Sequence, residues 1–442
     1  MKYLQAVLLF LLLIPHWGCV PPRQEGAANG GGANEGETMR RVLWYRLHGA
    51  GDVTTPPILR IPVNGKRAGI GSDALTLTLD LQAQAIPNLS LQLVHCDRNW
   101  KPTQNIFVQD ATRLQSSDFT ISIAPFGATH YDYTATITFP TGGSLLRIEH
   151  SGNYLARVVD YFNPDNILLE TRFFVVEPSA AIRLSTYSDF YETRQATALQ
   201  TGLRVNVETE LDFSLFSTQL RAVHLYNSGA WFSPMVANVG DQFDSLERGT
   251  YWARWNSAFG TKAVIEFGNI PAGNEHRLLD LTDLSYYPST GGLISTPLSD
   301  QPRQWPNTVD HNGTAPERYV GDIDNDYLYF QFRLDLFGQK AKEDICVVGT
   351  FNNWLPTRNW RMFYDEKTGY YLARGLIKRA FHEYQYVAGT WDEDAGILRY
   401  PDATLLEGNS RQASQLFYAF VYYSETTSGG YDRIVGVGAV VS

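Results

Sequence analysis

The chain has 442 residues, a formal net charge of -10 and no Lys/Arg-rich run, a balance that excludes a nucleic-acid partner held by a basic patch. Hydrophobic residues make up 44% and charged residues 19%, as in folded proteins with sizeable cores, and the length suits three domains of roughly 100–150 residues better than one. An aromatic share of 13% leans toward β structure.

The first residues carry an export signal. Lys2 precedes an apolar run over 4–15 that is too short for a bilayer, which takes roughly 20 apolar residues, so residues 1–19 are expected to be a signal peptide. Gly18-Cys19 resembles a bacterial lipoprotein processing site, which makes Cys19 the expected lipidation site. His16-Trp17 are bulky where such signals carry Leu and a small residue, so ordinary cleavage a few residues later is the alternative. Residues 20–40 are polar and rich in Gly and Ala, and read as a flexible linker. No later segment approaches transmembrane length, so membrane contact is expected only through an N-terminal anchor.

From residue 41 the periodicity is two. Leu75, Leu77, Leu79 and Leu81 alternate with Thr76, Thr78, Asp80 and Gln82, and Leu89, Leu91 and Leu93 with Ser90 and Gln92. With turns at Asn64-Gly65, Gly142-Gly143 and Ser151-Gly152-Asn153, residues 41–178 read as an N-terminal immunoglobulin-like sandwich. A middle sandwich is expected over 179–315, with strands at 200–208, 220–226 and 262–267 and an unperiodic Pro/Asn-rich stretch over 297–314. The third block, 316–442, opens on the strand at 327–336 and is expected to end with strands at 416–423 and 433–441. The fold class is therefore all-β, three consecutive immunoglobulin-like or early-set sandwiches.

Catalytic signatures are missing, and no enzyme, cofactor or metal is expected. His382-Glu383 opens like a zinc-protease helix but has Tyr386 at the second ligand position. The fingerprint-like Gly69-Ile70-Gly71 leads into a strand, so no helix N-terminus receives a pyrophosphate. Asp322-Ile323-Asp324-Asn325-Asp326 starts like a calcium loop but has Tyr327 and Arg333 where glycine and glutamate are required. Cys96 and Cys346 are expected as buried free thiols, a disulfide between them being the alternative.

In the third block, Gly349-Thr350-Phe351-Asn352-Asn353-Trp354 followed by Tyr384-Gln385-Tyr386-Val387 resembles the early-set modules related to glycogen-binding domains. Sugar-binding members stack exposed tryptophans on glucose, and Trp354, Trp360 and Trp391 are the candidates. The competing reading has Trp354 packed across the sandwich or capping its end.

Across nearly the whole chain the sequence resembles the type IX secretion system plug proteins of the Bacteroidota. The resemblance rests on His95-Cys96-Asp97-Arg98-Asn99-Trp100, on the run from Phe126 through His130 to Tyr133, and on Ser151-Gly152-Asn153-Tyr154. It continues in Gly273-Asn274-Glu275-His276-Arg277, in Gly349, Phe351, Asn353 and Trp354, and in Tyr431-Asp432-Arg433-Ile434. These residues are expected to be turn and core signatures. The resemblance implies a non-catalytic periplasmic protein at the inner face of the outer membrane, sealing the translocon β-barrel when no substrate is in transit. The alternative is an envelope lipoprotein that binds polysaccharide through its C-terminal sandwich.

Overall fold

The computed structural model describes residues 41–50, 56–191, 200–227, 230–240, 251–288, 292–303, 326–410 and 413–442. Cys19, the expected signal peptide and linker, and residues 322–325 of the acidic run lie outside them. The fold is almost wholly β, 56% strand against 4% helix. Among the described residues no helix is long and apolar enough to cross a membrane.

The first sandwich pairs a four-stranded with a five-stranded sheet. The four run in the order Arg41–Gly49, Leu75–Gln82, Tyr133–Phe139, Thr120–Ile123. The five run Ile58–Arg60, Asn163–Val176, Gly152–Asp160, Leu89–Cys96, Gln115–Ser116. The leucines of the two alternating runs interdigitate between the sheets with Ile137, Phe139, Tyr154 and Phe173. Alternation put them there, since successive side chains of a strand point to opposite faces.

The middle sandwich opposes two four-stranded sheets. One holds Ala180–Tyr191, Gln200–Leu211, Lys262–Pro271 and Trp252–Phe259. The other runs Met235–Asn238, Leu220–Asn227, Leu416–Glu425, Tyr431–Val441, so its last two strands come from the C-terminus. Leu225 pairs with Ala419, and Val223 with Val421.

The expected consecutive order is thereby corrected, while the all-β sandwich class stands. The hairpin 416–441 does not close the third block. Leu416–Glu425 is apolar on both faces, and its place between two sandwiches buries both. Phe417, Ala419, Val421 and Tyr423 enter the middle core, while Tyr418, Phe420 and Tyr422 face the first sandwich. The expected boundary near 315 moves as well, because Arg277–Asp280 and Ile294–Ser295 belong to the third sandwich.

That third sandwich sets Arg277–Asp280, Phe381–Asp392 and Asp344–Gly349, with Ile397–Asp402 alongside, against a second sheet. The second holds Ile294–Ser295, Tyr327–Asp335, Tyr370–Lys378 and Phe363–Asp365. It is an insertion between two strands of the middle sandwich. Where the chain leaves and returns, Ser410 N donates to Gly273 O at 2.7 Å.

Candidate functional site: the junctions between the sandwiches

The motif residues gather at the seams between sandwiches. At the first seam, Leu155, Phe174 and Val176 of the first sandwich meet Tyr226, Phe420 and Tyr422 of the middle one, and Phe174 stacks on Phe420 at 4.1 Å. The loop that follows Cys96 caps this apolar contact. Asp97 folds the loop by accepting from Asn99 N and Lys101 N, both at 2.9 Å. Trp100 takes a left-handed φ of 66°, which turns its indole back onto Phe174 beneath the Arg172 guanidinium.

Asp432 of the C-terminal hairpin accepts from Arg98 N at 3.0 Å and from the Arg98 guanidinium at 3.2 Å. Asn153 donates to Asp97 O and Arg98 O and accepts from Tyr422 OH at 2.8 Å. His95 stands edge-on to Tyr154 and Tyr431, with ring centroids at 5.0 and 5.6 Å. Only glycine fits at 152: φ is +144°, and a Cβ there would lie 2.5 Å from His95 Nε2 and 2.9 Å from Asp432 O. Arg433 pairs with Glu177 and with Glu425.

The second seam joins middle and third sandwiches. On the third-sandwich side of this seam, Arg277 donates from Nε to Glu407 at 2.9 Å and from Nη1 to Asp300 at 3.2 Å, and Arg303 reaches Glu407 at 2.8 Å. Burial works against the Arg277 charge, but Glu407 and Asp300 more than offset it and raise its pKa. Asn274 donates to Glu407 O at 2.7 Å, and Glu275 accepts from Ser414 N at 3.0 Å. Asn352 accepts from Gly349 N, Phe351 packs on Trp360, and left-handed backbone at Asn353 and Trp354 lays the Trp354 indole against His276 at 4.3 Å.

A third seam, between first and third sandwiches, was not anticipated from the sequence. Asp80, fully buried, accepts from Lys378 Nζ at 2.5 Å, Tyr327 OH at 2.7 Å and Thr134 Oγ1 at 2.9 Å. The Lys378 ammonium also lies 4.3 Å over the Trp44 ring. Asp326, the one described member of the acidic run, accepts from Thr129 N at 3.0 Å and Thr129 Oγ1 at 2.8 Å, and His130 Nδ1 lies 3.1 Å away. Burial pushes this carboxyl up, but the Thr129 and His130 hydrogen bonds outweigh it and hold it below the usual carboxylate range.

Residues 58–177 match the family model of the type 9 secretion system plug protein 1st domain. That match connects the first sandwich, with its capping loop and Gly152 turn, to type IX secretion. In fold, the chain is similar to a crystal structure of a hypothetical protein from Parabacteroides merdae ATCC 43184. The TM-score is 0.69 at 19% identity, over 91% of this chain and 97% of that one. No curated protein matches.

Trp354, Trp360 and Trp391 are all buried, so none offers a sugar-stacking face. Cys96 and Cys346 are free and buried in different sandwiches, and burial pushes each thiol up to about 12. His382 and Glu383 lie in the strand Phe381–Asp392, where His382 Nε2 sits 2.7 Å from Lys378 O. Among the described residues no three His, Cys, Asp or Glu side chains are grouped as a metal ion would need.

Two histidines make the first seam sensitive to acid. Burial, aided by Arg98, lowers His224 to about 3, and burial lowers His95 to about 4. A histidine held neutral in the fold but protonated near 6.5 when unfolded costs stability as pH falls below about 6.5. Between pH 7 and pH 5 this amounts to about 2 kcal/mol for each. Urea titrations of His224→Phe at the two pH values are expected to show a pH-dependent loss smaller than the parent's by that amount.

Proposed function

We propose that the chain is a non-catalytic type IX secretion component that binds the periplasmic mouth of an outer-membrane β-barrel translocon and covers it between substrates. The observation that carries this reading is the match of residues 58–177 to the plug protein family. The seams support it. A cover over a wide pore has to resist deformation, and three sandwiches locked by an apolar sheet-on-sheet contact and a buried ion pair form a stiff block. The reading places the protein in the periplasm at the inner face of the outer membrane, held by lipidated Cys19.

The test is affinity purification of the tagged chain from detergent-solubilised outer membranes. A barrel of translocon size is expected in the eluate, and cells lacking the protein are expected to admit large periplasm-excluded solutes. An eluate without a barrel, together with unchanged permeability, would sink the proposal.

A further inference from the structure

Strand register fixes which loops of the first sandwich share an end. Arg41 pairs with Gln82, Leu81 and Ile123 both pair with Tyr133, and Leu89 pairs with Asp160. The loops 83–88, 124–132 and 161–162 therefore sit together with Arg41, at the end opposite the crossing to the middle sandwich at 176–180. Tyr161 N donates to Asn88 O at 3.0 Å, and Ala83 N to Asp132 Oδ2 at 2.8 Å, tying these loops into one crown.

Every loop of the crown holds apolar side chains out in the open. Ile123 is 80% exposed, Phe126 is 105% and Phe162 is 76%, with Ile86 and Tyr161 also exposed beside them. Several large apolar side chains exposed at one end of a sandwich mark a candidate interaction surface. Two nearby carboxylates accept from backbone amides, Asp132 from Ala83 N and Asp160 from Phe162 N.

The length of chain preceding Arg41, and the point where it joins, indicate what covers the crown. Twenty-one residues, 20–40, separate Cys19 from Arg41. They reach at most about 70 Å when fully extended and roughly 25 Å as a Gly-rich coil. An acyl chain on Cys19 therefore joins the fold at this end, where the third sandwich also packs through Asp326 on Thr129, and keeps it within reach of the bilayer. Separate Ile, Phe and Tyr tips suit a fluid interface that each can enter on its own, and Tyr and Phe favour the headgroup boundary.

We infer that Ile86, Ile123, Phe126, Tyr161 and Phe162 dip into the periplasmic face of the bilayer and fix the orientation of the tethered end. This rests on the reading that Cys19 is anchored in the outer membrane. With a net charge of -10 the contact is apolar, not electrostatic, so salt leaves it unchanged.

The test is flotation with vesicles of phosphatidylethanolamine and phosphatidylcholine, using the mature chain that begins at Val20, which no acyl chain can carry. The parent is expected to float equally at low and high salt. Phe126→Asp with Phe162→Asp is expected to lower its partition at least about tenfold. Phe213→Asp with Phe259→Asp, equally charged substitutions at exposed phenylalanines of the middle sandwich, is expected to float like the parent. Matching melting curves establish that the variants are folded. No flotation of the parent, equal loss in both variants, or flotation only with the barrel in the vesicles would each overturn the inference. If the chain fails to float yet still recovers the barrel from outer membranes, the crown reading falls and the plug reading stands.

Discussion

Removing residues 274–409 and joining Gly273 to Ser410 through a short Gly-Ser linker is expected to leave a folded two-sandwich protein. A chain stopped at residue 315 is expected to leave the middle sandwich unfolded. Gly273 O and Ser410 N are already hydrogen-bonded, so the excision closes a gap that scarcely exists. The truncation instead strips Phe417, Val421, Tyr423 and Val435 from the middle core. At about 2–5 kcal/mol for each large buried side chain, the loss is on the order of 10 kcal/mol, comparable with the whole stability of about 5–15 kcal/mol of a domain. Size-exclusion profiles and urea unfolding distinguish the two outcomes. Two cooperative sandwiches in the chain ending at 315 would contradict the insertion topology.

Asp80→Ala is expected to cost about 3–5 kcal/mol, because it leaves the Lys378 ammonium at a closed seam without its carboxylate. Lys378→Met keeps the stem packed on Trp44, and Asp80 retains its Tyr327 and Thr134 donors. The variant carrying both Asp80→Ala and Lys378→Met is expected to be more stable than the sum of the two single losses predicts, by about 0.5–3 kcal/mol. Urea unfolding of parent, singles and double supplies the cycle. Strict additivity would mean that the two charges do not act on each other.

The strands were legible because a half-buried strand writes its burial into a two-residue alternation, as Leu75 to Leu81 do. The insertion was not, because pairing between Leu225 and Ala419 depends on partners 194 residues apart and leaves no local mark. One signal was present: the run from Phe417 to Tyr423 has no polar face, which is unusual for an antiparallel strand at the end of a sandwich. The motif residues 95–100, 152–154, 273–277 and 431–433 were visible as words, but their work as clamps appears only once the seams exist. Asp80 was hidden for a different reason. It occupies the outward register of an otherwise regular strand, where an aspartate reads as solvated until Lys378 of another sandwich arrives over it.

The insertion also orders events in time. A chain that folds from its N-terminus can complete its first sandwich early, yet the outer face bearing Phe174 stays bare until residues 416–441 arrive. Arg98 waits for Asp432, 334 positions later. Contacts so distant along the chain form slowly and leave sticky intermediates. Chains lacking residues 416–441 therefore keep that apolar face exposed, so one hairpin distant in sequence completes two sandwiches at once.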